Sequence, residues 1–207
     1  MLRDLPVEVF VREVSAASPV PSSGSVAALA GAQAAALLSM YCNVSQDRDK
    51  LGDFVEVLQK AGEEARFLMS RQLETIDDDT IAFNQVMEAF RLPKDNDTSK
   101  TKRSSAIREA VEKAAEITLM SARGVLRTLS IINEVATKGN PSALTDLGLA
   151  NLQAFSGLTG SYYNVRANLG LLKLQGRAGE IKGEADEILK QGQALFDSNR
   201  HLIENEM

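Results

Sequence analysis

The sequence lacks most of the residues on which metal and thiol chemistry depend. Its 207 residues include no tryptophan, one histidine (His201) and one cysteine (Cys42). A zinc site needs several imidazole or thiolate ligands, so we expect no metal site. A single cysteine also leaves no pair for an internal disulfide. Any catalysis is therefore expected to use carboxylates, hydroxyls, amides and backbone groups.

Positive charge is also scarce. The chain has 23 Lys and Arg against 28 Asp and Glu, giving a net charge of −5, and no cluster of basic residues. Proteins that bind nucleic acid need an electrostatic attraction that this balance does not supply, so no nucleic-acid partner is expected. The start of the sequence does not match a secretory signal peptide. The cytoplasm is the expected location.

Only one hydrophobic run approaches the length of a membrane span. It covers residues 26–42, is rich in alanine, and includes Gln33 and Ser39. A bilayer demands about 20 strongly apolar residues, which this run does not reach. The sequence therefore predicts a buried helix here and no membrane partner.

Proline is rare, and each of the five prolines falls where an apolar periodicity starts or stops. Long stretches free of the strongest helix breaker favour helices. No stretch combines alternating polarity with hairpin turns, which argues against a sheet. With no internal repeat or linker, the sequence predicts an all-α fold: a single-domain bundle of long helices that forms one domain over residues 1–207.

The periodicity also predicts where the helices lie. Asp4 is the expected N-cap of the first helix, with Pro6 in its first turn. Gly139, Asn140 and Pro141 have the order expected of a tight turn between two helices. The predicted helices span about residues 5–17, 25–45, 51–91 (with or without a kink), 101–138, a segment from 140 that includes Leu169, and 178–205.

Asp79 is a candidate catalytic residue. On a helical wheel it falls between Phe83 and Val86, inside the apolar stripe of residues 76–90. Burial of a carboxylate raises its pKa toward the range useful for general acid or base catalysis. The alternative is that Asp79 pairs with a basic residue of a neighbouring helix or caps a break near residue 77. Periodicity alone favours that alternative.

A second candidate is a polar line along the helix that begins near Asn140. Asp146, Gln153, Gly157 and Asn164 fall within about 20° of one line on the wheel. Such a line could admit a ligand, or it could be a solvated helix face. Asp146 and Asn164 are separated by about 27 Å on a straight helix. They serve one site only if the helix breaks, the ligand is long, or a second subunit contributes.

The loop at residues 21–25 is a third candidate. Pro21, Ser22, Ser23, Gly24 and Ser25 precede the predicted buried helix. The free N–H groups and the dipole at a helix N-terminus favour an anion such as a carboxylate or phosphate. An ordinary capped turn has the same composition, so this motif is weak evidence by itself.

Four segments, taken in order, resemble the formiminotransferase-cyclodeaminase family. They are SPVPSSGSVAALAGAQAAALLSMYCN, DDDTIAFNQVMEAFRLPK, KGNPSALTDLGLA and YYNVRANL. The resemblance covers nearly the whole chain and includes stand-alone methenyltetrahydrofolate cyclohydrolases. It implies an enzyme that acts on a folate one-carbon unit at N5 or N10, either as a cyclodeaminase or as a cyclohydrolase. It also implies a homodimer, with the tetrahydrofolate derivative as substrate and no cofactor.

The resemblance also implies site residues. Asp79 is the expected acid or base, and Asp146 the expected electrostatic stabiliser or second proton carrier. Arg166 or Lys94 would bind the glutamate carboxylates of the folate. The expected substrate-binding residues are Pro21, Ser22, Ser23, Gly24, Ser25, Asp77, Lys94, Asn140, Asn164, Arg166 and Asn168.

Two departures from the family pattern support an alternative function. Ser22 and Ser23 stand where the family usually has glycines, and the segment SQDRDKL has only Arg48 and Lys50 as positive charges. If those glycines require a positive φ or a close ligand approach, serine weakens binding. The alternative is a catalytically decayed member that binds folate or forms a dimeric helical protein.

Overall fold

Long helices dominate the structure, as the scarcity of proline predicts. The computed structural model describes residues 1–46, 54–172 and 176–207, and these contain no β-strand. The all-α bundle is therefore confirmed. The helices are α1 (Val7–Val14), α2 (Ser23–Gln46), α3 (Phe54–Arg91), α4 (Asp97–Val135), α5 (Leu144–Leu169) and α6 (Arg177–Glu206), with short 3-10 helices at Leu2–Asp4 and Pro141–Ala143.

Three predicted helix starts are wrong. The helix predicted to begin near Asn140, α5, begins at Leu144, after the 3-10 helix Pro141–Ala143. Asp4 ends a short 3-10 helix, and the N-cap of α1 is Pro6. Leu5 is extended because a residue that precedes proline disfavours the helical region. Helix α4 begins at Asp97, earlier than predicted, because the Asn96 side chain accepts a hydrogen bond from the Ser99 N–H at 2.8 Å.

Helix α2 is the central helix of the bundle. It packs against α3, α4 and α5. The segment Ser23–Ser45 has the length and apolar composition of a membrane-crossing helix. Most of that segment is nevertheless buried against its neighbours, and Leu38, Tyr41 and Cys42 are fully buried. The prediction of a buried helix is confirmed.

The predicted turn at residues 139–141 lies between α4 and α5 and contacts the C-terminal end of α2. The Asn140 side chain accepts a hydrogen bond from the Ser142 N–H at 2.9 Å. The Asn140 N–H donates to Oγ of Ser45, near the end of α2, at 2.8 Å. The start of α5 therefore lies beside the end of α2, and the two helices run antiparallel.

Helices α2 and α5 approach closely at Gly157. A Cβ atom at this position would lie 2.9 Å from the Ala27 carbonyl oxygen and 3.0 Å from the Gly31 nitrogen. Both neighbours are backbone atoms of α2. The polar line from Asp146 to Asn164 is thus covered by α2 at Gly157, and the idea of a ligand lane with a glycine floor is wrong. Glycine serves close helix packing here.

We expect Gly157→Ala to destabilise the protein by about 1–3 kcal/mol, because the methyl group must push two helix backbones apart. Gly148→Ala is the matched control in the same helix, since its Cβ would meet Ile203 Cγ2 at an ordinary 3.8 Å. The control should stabilise by about 0.5–1 kcal/mol through helix propensity. Urea unfolding of both variants measures the difference, and equal stabilities would contradict the close packing.

Candidate functional site

Asp79 lies in the middle of α3 with its carboxylate turned toward the N-terminus of α2. The residue is only 9% exposed. Its Oδ2 accepts hydrogen bonds from Oγ of Ser22 at 3.2 Å and from Oγ of Ser25 at 3.1 Å. Its Oδ1 accepts from Nδ2 of Asn164 on α5 at 3.3 Å. These partners are all neutral, so the alternative in which Asp79 pairs with a basic residue is not found among the described residues.

The surroundings of Asp79 shift its proton affinity. Burial removes water from the carboxylate and raises its pKa above the usual aspartate range. Hydrogen bonds from Ser25, Ser22 and Asn164 lower the pKa and oppose part of this effect. A carboxyl group with a raised pKa holds a proton more readily than an ordinary aspartate, which suits it to accept and return one.

Gly24 allows the backbone in the first turn of α2 to reach the carboxylate. A Cβ atom on Gly24 would lie 2.0 Å from Oδ1 of Asp79 and 2.2 Å from Nδ2 of Asn164. No side chain fits in that space while the two groups keep their positions. The predicted loop, Asp79 and Asn164 therefore form one cluster, which we call the Asp79 cluster: Ser22, Gly24, Ser25, Asp79 and Asn164.

The two serines that depart from the family pattern have different surroundings. Ser22 donates to Asp79, whereas Ser23 is an exposed first residue of α2. Among the described non-glycine residues, none has a positive φ, so neither serine strains the backbone. Serine in place of glycine at these two positions therefore causes no backbone strain.

We expect Ser22→Gly to raise the pKa of Asp79 further, because it removes a hydrogen bond that favours the charged carboxylate. A titration of the Asp79 carboxyl carbon by NMR measures the shift. Ser23→Gly is the matched control, since Ser23 forms no hydrogen bond with Asp79, and it should leave that pKa unchanged. A pKa that falls or stays constant in Ser22→Gly would contradict the assigned hydrogen bond.

Asn168 supports the cluster from behind. Its Nδ2 donates to Oδ1 of Asn164 at 3.0 Å. Because the carbonyl oxygen of the Asn164 amide is held in this way, its NH₂ group faces Asp79. Asn168 lies one helical turn beyond Asn164, and the structure brings both predicted residues to the same place.

The structure places Asp77 away from Asp79. Its Oδ1 accepts a hydrogen bond from the Leu2 N–H at 2.7 Å, and its Oδ2 lies 3.3 Å from Nε of Arg3. Asp77 therefore holds the N-terminal 3-10 helix against α3. A helix turns by about 200° over two residues, which explains why the two carboxylates point in different directions.

Asp146 and Asn140 lie at the opposite end of α5 from the Asp79 cluster. Helix α5 is continuous, so the Asp146 and Asn164 positions are separated by about 27 Å along it. The possibility that a helix break unites them is excluded. Within one chain, the predicted site residues form two separate groups.

The remaining predicted residues surround the cluster or lie outside it. Pro21 is buried next to Ser22, and Lys94 is exposed in the loop between α3 and α4. Arg166 is exposed, with its guanidinium 5.8 Å from the centre of the Tyr162 ring. Arg48 and Lys50 lie outside the described residues. Neither Lys94 nor Arg166 forms a hydrogen bond with the Asp79 cluster.

Sequence reasoning missed one residue of this site. Oγ1 of Thr80 lies 3.5 Å from Oγ of Ser25. Thr80 lies one turn after Ile76, whose carbonyl oxygen is 3.1 Å from the same Oγ of Ser25 and is an alternative acceptor for its hydroxyl hydrogen. In the sequence, the spacing of four residues between Ile76 and Thr80 places them on the same face of a helix, and this could have indicated that both lie near Ser25. Among the described residues, no group of three His, Cys, Asp or Glu side chains could hold a metal ion.

The comparisons with known proteins agree on one family. A model described as formiminotransferase-cyclodeaminase matches residues 6–187. A methenyltetrahydrofolate cyclohydrolase from Methylorubrum extorquens is 33% identical over 189 residues, which cover 91% of each chain. A formimidoyltransferase-cyclodeaminase from Mus musculus is 32% identical over 81% of this chain. The matched region is only 31% of the length of the Mus musculus protein.

A solved structure supports the fold. The crystal structure of a formiminotetrahydrofolate cyclodeaminase from Thermotoga maritima matches with a TM-score of 0.89. The match covers 99% of this chain and 98% of that chain at 19% identity. The complete helical arrangement is therefore shared, although most residues differ.

Proposed function

The chain belongs to the formiminotransferase-cyclodeaminase family, and we propose that it hydrolyses 5,10-methenyltetrahydrofolate to 10-formyltetrahydrofolate. The observation that carries this proposal is the Asp79 carboxyl group, which is buried among neutral hydrogen-bond donors and has a raised pKa. The similarity to a cyclohydrolase over 91% of both chains supports the reaction type. Such a carboxyl group fits a reaction that needs one proton to move between water and a ring nitrogen.

The proposed chemistry centres on the carbon between N5 and N10. The methenyl substrate is a cation at this carbon, and water adds to it to form a neutral tetrahedral intermediate. One proton of the water passes to Asp79 as the oxygen–carbon bond forms. Asp79 then gives this proton to N5 as the carbon–N5 bond breaks. The second water proton leaves to solvent as the formyl carbonyl forms.

The other residues of the Asp79 cluster have supporting roles in this proposal. Ser22, Ser25 and Asn164 hold the carboxylate in place by their hydrogen bonds. A positioned acid or base is effective only within hydrogen-bond reach of the reacting atom, so these contacts set its geometry. The folate serves as substrate, and the proposal invokes no further cofactor.

Binding of the rest of the folate is assigned to the predicted residues around the cluster. The segment at Pro21 and Ser23 would position the pterin. Lys94 and Arg166 are exposed cations that would attract the glutamate carboxylates. The cytoplasm remains the proposed location.

Cyclodeamination of 5-formiminotetrahydrofolate is the second candidate. It is favoured by the matches to formimidoyltransferase-cyclodeaminases, of which the one from Mus musculus is 32% identical. That reaction passes through a similar tetrahedral carbon and loses ammonia instead of gaining water. The same acid–base group could serve both reactions.

The test offers the purified chain each folate separately. Loss of the methenyl absorbance above the uncatalysed rate supports the cyclohydrolase. Ammonia release with a gain of methenyl absorbance would replace it with the cyclodeaminase. If folded protein is silent with both substrates, the proposal fails, and the alternative of a decayed folate-binding protein takes its place.

The proposal extends to a homodimer. Helix α2 contains no charged residue, and α5 has none between Asp146 and Arg166. Both helices nevertheless expose large apolar side chains on one face of the bundle. This uncharged face consists of Val26, Met40 and Val44 from α2 and Leu149, Leu152 and Tyr163 from α5, which are between 38% and 64% exposed. A contiguous exposed apolar face of this kind is typical of a protein interface.

A further inference from the structure

We infer that the tail of the folate, meaning its benzoyl ring and glutamate, lies in a groove that leads from Asp79 along α3 to Arg108 of α4. The Arg108 guanidinium binds the glutamate carboxylates there. The inference rests on the proposed function, because it concerns the same substrate. It adds to Lys94 and Arg166 a cation that the sequence did not single out, and it gives the direction in which the substrate lies.

The first observation is a cavity at the C-terminal end of α3. It lies between this end, the first turns of α4 and the residues that follow α5, and its volume is about 380 Å³, within the range of small-molecule sites. Its apolar lining consists of Phe90, Ile107, Leu171 and Leu172, and its charged residues are Arg108 and Glu112. Apolar walls with a cation suit a ring that carries a carboxylate.

One wall of the groove is a row of side chains on α3. Phe90 lies eleven residues after Asp79, so it falls within about 20° of the same line on the helix and about 16 Å further along its axis. Phe83 is partly buried between them, one turn after Asp79. The carboxylate and the cavity therefore lie on the same side of α3.

The other wall is the C-terminal end of α5. Asn164 donates a hydrogen bond to Asp79, and Asn168 follows one turn later. Leu171 and Leu172 come next and line the cavity. Leu172 also packs against buried residues of α3 and α4. The two walls thus meet at both ends, at Asp79 and at the cavity, and these contacts define the groove.

Although the chain as a whole is acidic, positive charge is concentrated at the cavity end. Residues 91–108 contain six Lys or Arg and only two Asp, so the expectation of no basic cluster is corrected for this segment. Arg103 is already engaged, because Nε and Nη2 donate to the Phe90 carbonyl oxygen at 3.3 and 3.2 Å. Arg108 is exposed and forms no salt bridge within the described part of the chain, even with Glu112 one turn away.

The order of groups along the groove matches the folate tail. From N10 the tail continues through an aromatic ring to an amide and then to two carboxylates, so its apolar part comes first and its charge last. The groove presents Phe83 and Phe90 before Arg108. Aromatic rings pack favourably against one another, and a guanidinium binds a carboxylate through two parallel hydrogen bonds. With the one-carbon unit at Asp79, the carboxylates therefore point toward Arg108.

Kinetics of Arg108→Gln test this assignment. We expect KM for methenyltetrahydrofolate to rise about 10-fold or more, because a hydrogen bond between charged groups is lost. The value of kcat should stay within about two-fold, since the tail is bound equally in the ground state and the transition state. Arg108→Lys should recover part of the loss, because lysine keeps the charge but not the fork of two donors.

Lys113→Gln is the matched control. It removes the same charge from the same helix, but Lys113 lines a different cavity and donates to Gln85 at 3.1 Å. Its KM should equal that of the wild type. An Arg108→Gln variant with the same KM as this control overturns the inference.

A substrate without the glutamate shows which part of the folate Arg108 binds. Wild type should have a KM about 10-fold higher for methenyltetrahydropteroate than for methenyltetrahydrofolate. Arg108→Gln should have nearly the same KM for both, because the two changes remove the same interaction. If the two effects multiply instead, Arg108 does not bind the glutamate, and the inference fails.

Binding of p-aminobenzoylglutamate separates this inference from the proposed function, since that probe has no pterin and no one-carbon unit. At millimolar concentration it should shift the NMR signals of the Leu171 and Leu172 amides in wild type and in Asp79→Asn, but not in Arg108→Gln. The control ligand p-aminobenzoate lacks the glutamate and should have a much smaller effect. If the probe leaves these signals unchanged in wild type, the groove is not the site of the tail, even in a protein that turns over methenyltetrahydrofolate. If the signals shift in a protein that is silent with both folates, the proposed reaction fails and the groove stands.

Discussion

The Asp79→Asn variant is expected to lose about 10²–10⁴-fold in turnover of methenyltetrahydrofolate, the range typical of general acid–base catalysis. Asparagine keeps the size and one hydrogen-bond acceptor of the carboxylate, but it cannot accept and return a proton. Steady-state kinetics with the purified variant measure the loss. KM should change much less than kcat, because the change removes proton transfer and leaves the binding surface.

Asp78→Asn is the matched control for this loss. Asp78 is the adjacent residue of α3, but it faces a groove between α3 and α4 that Thr75 and Met120 also line. The same chemical change there should leave turnover within a few-fold of wild type. An Asp79→Asn variant that remains as active as Asp78→Asn would remove Asp79 from the mechanism.

The stability of Asp79→Asn separates catalysis from folding. Because burial raises the pKa of Asp79, the folded protein binds more protons than the unfolded chain as the pH rises through this group's titration. The wild type therefore loses stability as the pH rises above the ordinary aspartate range. We expect the variant to be at least as stable as wild type at pH 7, and the difference to shrink as the pH falls toward that range. Urea unfolding at several pH values measures this.

The Gly24→Ala variant is expected to lose about 10²-fold in turnover, because a displacement of about 1 Å at a reacting group can cost that much. Its methyl group would lie 2.0 Å from Oδ1 of Asp79 and 2.2 Å from Nδ2 of Asn164, so both side chains must move. They are side-chain atoms and can shift, which is why the fold should survive. Circular dichroism checks the fold, and kinetics measure the loss.

Gly183→Ala is the control for this change. Gly183 lies inside α6, and a Cβ atom there would meet nothing within 4 Å. Alanine should therefore leave turnover unchanged and stabilise the helix by about 0.5–1 kcal/mol. If Gly24→Ala is as active as Gly183→Ala, the close approach of the first turn of α2 to Asp79 has no role in catalysis.

Helix content was predictable because it depends on local chemistry. Prolines confined to segment boundaries and a three-to-four residue apolar spacing predicted all the long helices. The starts of α1 and α4 were wrong because each depends on one local interaction. Leu5 is extended before a proline, and Asn96 caps an earlier start than the apolar pattern indicated.

The environment of Asp79 was only partly predictable. The wheel placed its carboxylate inside an apolar stripe, which correctly indicated burial. It did not show whether a basic residue would neutralise the charge, because that residue would come from another helix. Only the packing of α2 and α5 against α3 showed that the partners are Ser22, Ser25 and Asn164.

The sequence by itself determined the helical class, the buried central helix and the family, since these follow from periodicity, composition and ordered motifs. Tertiary structure decided how the candidate residues are grouped. It placed Asp79 with Asn164, turned Asp77 toward Arg3, and left Asp146 at the far end of a rigid helix. The physical reason is that a helix fixes only the relative direction of its own side chains, while distances between residues of different helices arise from how those helices pack.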